Sequence, residues 1–244
     1  MPDQKDLEEF LSDARVEPAV LDLRPDYRVL LVAVDGLRPG PSDELSHRLV
    51  TRAESAVSQS LRGRRVEDLP HVAAWRDAYR AFGAKPQRTR NSLEALMRRA
   101  ESGLPRVNRL TDIYNALSVL HQVPIGGEDL SRYSGSPRLA RATGDEPFDT
   151  VADGAVVVEH PAPGEVVWCD DAGVTCRRWN WRQGVRTQLR EDTRSALFIL
   201  DALDPLTDDA LTATADELVS HLHGAGEALP VATRLIASLT GAEQ

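Results

Sequence analysis

The sequence is poor in cysteine, lysine and long apolar runs. Two cysteines, Cys169 and Cys176, occur in 244 residues. That is too few for a disulfide framework, and without a second pair no structural zinc site follows. They read as half-buried strand residues, a common habit of free cysteine. No apolar stretch approaches the roughly 20 residues that cross a bilayer. The opening MPDQKDLEEF is acidic and polar where a secretory leader is basic and then apolar. A cytoplasmic location and no membrane partner are therefore expected. Also missing are GxxxxGK[ST], a strand-to-helix GxGxxG, HExxH and GxSxG, which removes the usual signatures of nucleotide hydrolysis, zinc proteolysis and serine hydrolysis. No cofactor and no metal are expected.

What is present suits a globular chain with a real core: 41% of residues are apolar and 27% charged. The net charge of −9 argues against general nucleic-acid binding, and DNA is not expected as a partner. The charge is segregated, however. Arg76 to Arg109 holds nine basic residues against Asp77, Glu94 and Glu101, and Arg177 to Arg194 holds six arginines against Glu191 and Asp192. Such blocks can build a basic face on an acidic protein. The alternative is a plain compositional bias, since arginines outnumber lysines 27 to 2.

Along the chain, the apolar run Val29 to Val34 ending in Asp35-Gly36 reads as a buried strand. A helix follows from Ser42, its expected N-cap, to Gly63. PHVAAWRDAYRAFG gives a short helix closing at Gly83. Asn91 caps the next, with Glu94 as its expected reciprocal partner and Gly103 past the last turn. The helix after it lies close enough in sequence to form a hairpin with it. Beyond Pro124 short strands are expected: PRLARAT, GAVVVEH and a hairpin within EVVWCDDAGVTCRRWNWR turning at Asp170 to Gly173. DTRSALFILDAL fits a strand or a helix. TDDALTATADELVSHLHG and PVATRLIASLTG read as two terminal helices. His221 and His223 read as surface residues and Ser134 to Pro137 as a turn. The pattern favours one α/β (α+β) unit with a mixed sheet and packed helices.

Two features stand out. In RVNRLTDIYNALSVLHQVPIGGEDL, one helical face is Leu110, Ile113, Leu117 and Leu120, and the opposite stripe is Asn108, Asp112, Asn115 and Ser118. Short polar side chains are mediocre helix formers, so the stripe serves a ligand pocket, a buried structural network or a plain surface. In RRWNWRQGVRT, strand alternation would put Trp179 and Trp181 on one face and Asn180 and Arg182 on the other, where an Asn/Arg face can meet carboxylate or phosphate.

Taken together with WRDAYRAFG and RNSLEALMRRAESG, the segments PRVNRLTDIYN and CRRWNWRQGVRT resemble the tRNA-binding and editing domain of the phenylalanyl-tRNA synthetase beta subunit, and more closely free-standing proteins built from that domain alone. The resemblance is strongest over residues 75–203. Residues 1–74 form a strand-and-helix N-terminal part and 204–244 a helical extension of one domain spanning 1–244. It implies an editing-domain fold and hydrolysis, in trans, of the ester of a mischarged aminoacyl-tRNA. The other reading is a non-catalytic module that binds tRNA or an amino-acid-like ligand. Tyrosine is what the synthetase domain clears.

By this resemblance Asn115 and Pro124 line the amino-acid pocket and the segment Trp179, Asn180 and Trp181 passes beside it. Gly126 stands where the family carries a pocket histidine and Ile199 where it carries a glutamate. Losing both partners of a tyrosyl hydroxyl implies a different, smaller amino acid or no catalysis. Expected roles are Asn115 for the amino or carbonyl group, Asn180 and Arg182 for the ester or terminal ribose and phosphate, and Glu146 or Asp112 for the amino group, with Asn108 in the same pocket. An aligned water and an oxyanion contact could suffice without a side-chain base. Expected tRNA contacts are Arg88, Arg90, Arg98, Arg99, Arg106, Arg109 and Arg186. The sequence leaves the oligomeric state open.

Overall fold

The computed structural model describes residues 4–223 and 228–238. In chain order the elements are α1 (Gln4–Ser12), β1 (Arg15–Val16), α2 (Pro18–Leu21), β2 (Arg28–Val34), α3 (Glu44–Leu61), α4 (Pro70–Ala81), α5 (Ser92–Ala100) and α6 (Arg109–His121). Then follow β3 (Ile125–Asp129), β4 (Arg138–Arg141), β5 (Phe148–Ala152), β6 (Ala155–Glu159), β7 (Val166–Asp170), β8 (Gly173–Arg177) and β9 (Arg182–Gln183). The last three are β10 (Ala196–Ala202), α7 (Asp208–His223) and β11 (Val231–Ala237). The fold is α+β, with helices packed against mixed sheets.

A four-stranded antiparallel sheet, ordered β11-β2-β10-β3, forms the centre. Both central strands are apolar nearly throughout because both of their faces are covered. Leu30, Val32, Val34, Phe198 and Leu200 pack on one side against α3, α5, α6 and α7. Val29, Leu31, Ala33, Leu197 and Ile199 pack on the other against Trp75, Leu139, Val166, Trp168 and Trp179. That second layer is a five-stranded sheet, β1-β4-β7-β8-β9, flanked by α1 and α4. A separate hairpin pairs β5 with β6.

Local expectations are corrected in several places. The N-cap of α3 is Asp43, not Ser42: its carboxylate accepts from Ser46 N at 2.8 Å while Ser46 Oγ accepts from Asp43 N at 3.0 Å. Asn91 does cap α5, but Glu94 does not reciprocate, because Arg76 and Arg98 claim its carboxylate. Helix α6 touches α5 but lies chiefly along α3. DTRSALFILDAL is a strand, β10.

The expected last helix is instead strand β11, paired with β2 from Val231 opposite Val34 to Ala237 opposite Arg28. Its β-branched residues satisfy the backbone groups of a β2 edge that would otherwise stand open. The remainder of that expected helix lies outside the described residues. His221 and His223 are half-buried rather than on the surface. Cys169 is buried, Cys176 half-buried, and both are free.

Candidate functional site

In β3 and β10, Ile199 is paired with Gly126 and Leu197 with Glu128. Side chains alternate along a strand, so Gly126 and Glu128 share a face with Ile199 and Asp201. Because the strands run antiparallel, the two carboxylates bracket the Gly126/Ile199 pair from opposite ends, roughly 13 Å apart along the sheet for four residues of rise. A cavity of about 250 Å³ sits on this floor. Its walls come from α5 (Ala95, Leu96), α6 (Tyr114, Asn115), the second sheet (Trp168, Cys176) and the segment from Trp179 to Gln183.

That segment is not the strand expected from its alternation. Residues 178–181 form a turn, with Arg178 at φ 49° and Trp179 at φ 68°. Bulky residues avoid this left-handed region, at a cost of roughly 1–3 kcal/mol each. What holds Trp179 there is its indole, fully buried against Tyr27 at 5.0 Å and Trp75 at 5.4 Å between ring centroids, and its backbone N–H, which donates to Val166 O at 2.7 Å. The turn directs Asn180 inward and leaves Trp181 half-buried, with the Arg178 guanidinium 4.4 Å above its ring.

The two carboxylates are nearly inaccessible, Glu128 at 2% and Asp201 at 1% exposure. Asp201 accepts from Tyr27 Oη at 2.6 Å and from Asn180 Nδ2 at 3.2 Å, and Asn180 Oδ1 accepts from Tyr79 Oη at 2.9 Å. Tyr133 donates its hydroxyl to Glu128. Burial pushes Glu128 up to about 7, with the Tyr133 hydroxyl pulling the other way. Burial likewise raises Asp201 to about 7 against the hydrogen bonds from Tyr27 and Asn180. Two carboxyl groups poised near neutrality inside an aromatic cavity can bind an ammonium group or move a proton.

Of the expected pocket residues, Asn115, Gly126, Trp179, Asn180, Trp181 and Arg182 line this cavity, as does Ile199. Four others lie elsewhere. Asn108 is the N-cap of α6, accepting from Thr111 N at 2.9 Å, and Asp112 accepts from Val107 N at 2.8 Å. Pro124 is buried, its carbonyl held by Asp201 N at 3.0 Å. Glu146 closes a turn by accepting from Thr143 N at 2.8 Å and Gly144 N at 3.0 Å. Ser118, last of the polar stripe, donates to Val123 O at 2.6 Å. The stripe is thus mostly structural, with Asn115 alone turned to the cavity. Sequence reasoning missed Glu128 and Asp201; the signal was their two-residue spacing from Gly126 and Ile199.

Most of the arginines expected to meet tRNA are already paired. Arg98 binds Glu94 and Glu67, Arg106 binds Glu54, Arg109 reaches Asp43 at 3.0 Å and Arg186 reaches Asp170 at 2.8 Å. Arg90 is 3.7 Å from Glu94. Among the described residues, Arg88 and Arg99 are exposed and form no ion pair. The same residues contain no cluster of three or more potential metal ligands, and no helix long and apolar enough to cross a membrane.

The model of the B3/4 domain family matches residues 74–222. An N-terminal fragment of the phenylalanyl-tRNA synthetase beta subunit from Pyrococcus horikoshii is similar in structure, with a TM-score of 0.46 and 12% identity over 89% of this chain and 49% of that one. The chain thus spans about half the length of that fragment. No curated protein matches the sequence.

Proposed function

The chain belongs to the B3/4 domain family, and from that premise we propose that residues 1–244 act as one free-standing cytoplasmic unit that binds aminoacyl-tRNA and hydrolyses the ester of a mischarged amino acid in trans. The B3/4 domain is known in the phenylalanyl-tRNA synthetase beta subunit, which points to tRNA-related binding. The observation that carries the reading is the pair of buried carboxylates, Glu128 and Asp201, bracketing the floor of an aromatic cavity of about 250 Å³.

An aminoacyl ester offers an ammonium group, a carbonyl and a ribose. Asp201, backed by Tyr27 and Asn180, supplies negative charge for the ammonium. Asn115, whose amide has no side-chain partner among the described residues, donates to the ester carbonyl. Glu128, raised to about 7, orients a water and takes its proton as the water attacks. The ribose oxygen leaves beside Arg182, whose charge is free of any ion pair among the described residues, and takes the proton that Glu128 removed from the water, which frees the hydroxyl and resets the carboxylate. Asn180 supports Asp201 rather than meeting the substrate, since Tyr79 and Asp201 engage both ends of its amide. Trp179 and Trp181 narrow the space, which favours an amino acid smaller than tyrosine.

A second reading is a binding module without turnover. It is favoured by Gly126 and Ile199, which leave the centre of the floor without polar side chains.

The test is deacylation of a panel of correctly and wrongly charged tRNAs by the wild type and by Glu128→Gln, Asp201→Asn and Asn115→Ala. Release of one or a few amino acids is expected, with Glu128→Gln lowering kcat and Asp201→Asn raising KM. No release anywhere, with salt-dependent retention of tRNA, would leave the binding module.

A further inference from the structure

A second cavity, of about 360 Å³, lies between the segment Phe82 to Thr89 and the residues Ala162 to Glu165. Its chemistry differs from that of the first. Lys85, Arg88 and Arg178 line it, and Glu165 is its one acidic residue. That carboxylate is already neutralised: Arg177 binds it with both arms, at 2.8 and 2.9 Å, from a buried position. Lys85 and Arg88 are exposed and form no ion pair among the described residues. Arg178 shares Glu165, at 3.5 Å, so the positive charge left without an acidic partner among the described residues is that of Lys85 and Arg88. Arg178 is fixed in place by the Glu165 carboxylate at 3.5 Å, by the Thr89 hydroxyl, to which it donates, and by the Trp181 ring beneath its guanidinium at 4.4 Å.

Arg178 also joins the two cavities. Trp181 is a wall of the first and Arg178 a wall of the second, so a chain leaving the first cavity past Trp181 meets Arg178 next. We infer that the second cavity is a phosphate site, in which Lys85, Arg88 and Arg178 hold a backbone phosphodiester of the RNA strand whose aminoacylated end occupies the first. This rests on the reading of the first cavity as an aminoacyl-RNA site and assigns to that RNA a fixed point of grip. The fixed guanidinium offers its remaining Nη2 to a phosphate oxygen, and the two exposed cations supply charge.

The experiment is fluorescence anisotropy with a labelled single-stranded 12-mer RNA ending in CCA, titrated with the full chain between 50 and 200 mM salt. Three proteins are compared: wild type, Lys85→Gln/Arg88→Gln, and Arg48→Gln/Arg52→Gln. The last carries the same charge change on the exposed face of α3. Wild-type affinity is expected to fall with salt. Losing two of the three cations at that one phosphate should weaken binding about tenfold and flatten the log–log salt slope by up to about 0.7, the value for one single-strand phosphate. The α3 variant should bind as the wild type does.

If the Lys85/Arg88 variant keeps wild-type affinity and slope, the inference fails while the aminoacyl reading survives. If both variants weaken equally, the effect is net charge and the cavity is not the site. If the wild type binds no RNA, both readings fall. A competition arm with inorganic phosphate separates the sources: millimolar phosphate should displace the RNA, whereas tight phosphate binding that leaves RNA bound would make this a site for free phosphate and overturn the assignment.

Discussion

Gly126 and Ile199 face one another across β3 and β10 on the floor of the cavity, and neither brings it a polar side chain. The charged groups stand one alternation farther along each strand, at Glu128 and Asp201. The ionisable chemistry therefore sits at the two ends of the floor and its centre is open.

The first prediction concerns pH. A carboxyl group raised in the folded state from its ordinary value near 4.5 to about 7 adds stability that is complete below 4.5 and lost as pH rises through 7. The stability advantage of wild type over Glu128→Gln should therefore shrink between pH 4.5 and 8, by on the order of 3 kcal/mol. Urea midpoints of the two proteins across that range provide the measurement. A constant difference would mean that Glu128 titrates normally. Affinity for an aminoacyl ester should rise over the same window, as the carboxylates ionise.

Adjacent glycines of β3 should respond oppositely to a methyl group. A Cβ at Gly126 would meet nothing within 4 Å, whereas at Gly127 it would come within 2.8 Å of both Leu189 and Tyr114. Gly126→Ala is expected to leave stability within about 0.5 kcal/mol, and Gly127→Ala to cost about 1–3 kcal/mol through overpacking. Thermal or urea unfolding decides, and equal costs would contradict the packing described.

Two asparagines of one stripe should separate stability from activity. Asn108→Ala removes a helix cap and should cost about 1 kcal/mol. Asn115→Ala should leave the unfolding midpoint unchanged but reduce deacylation at least tenfold, the loss of one carbonyl contact in the transition state. A stability loss confined to Asn115→Ala would reverse these roles.

His71 provides a prediction of the opposite sign. Its Nε2 accepts from Trp75 Nε1 and Leu203 N, each at 3.1 Å, while its Nδ1 donates to Gln122 O at 2.7 Å. Burial lowers it to about 4, so its stabilisation is complete above the ordinary value of 6.5 and fades as pH falls toward 4. His71→Leu strands two buried N–H donors and should cost about 2–5 kcal/mol at pH 7. The gap to wild type should narrow at pH 4.5, as read by urea titration at both values.

The layering of helices on a buried sheet was legible because it is written in local patterns. The run Val29 to Val34 and the cap Asn91 are signals of one element each. The failures are tertiary. PVATRLIASLTG carries enough leucine and alanine to suit a helix, and only the open edge of β2 selects the extended form. Trp179 alternates with Trp181 as a strand residue would, yet the aromatic cluster of Tyr27, Trp75 and Phe82 captures it in a left-handed turn. Asp112 looked available for a ligand because its partner, Val107 N, belongs to backbone that no side-chain pattern reveals. Glu128 and Asp201 lie 73 positions apart in sequence, and only the pairing of β3 with β10 brings both carboxylates to one cavity.

Every residue of β10 is buried, with Phe198 and Leu200 facing the helices and Ile199 and Asp201 facing the cavity. The floor is thus one of the last parts of the molecule to open, since its amides exchange only when two packed layers separate. With Trp179 locked in its aromatic cluster, any accommodation of ligands of different size falls to α5 and to the half-buried side chains of Trp181 and Arg182. The cavity is in effect a fixed anvil with an adjustable jaw: what it accepts is decided by how far the jaw yields, and where charge must lie is decided by the anvil.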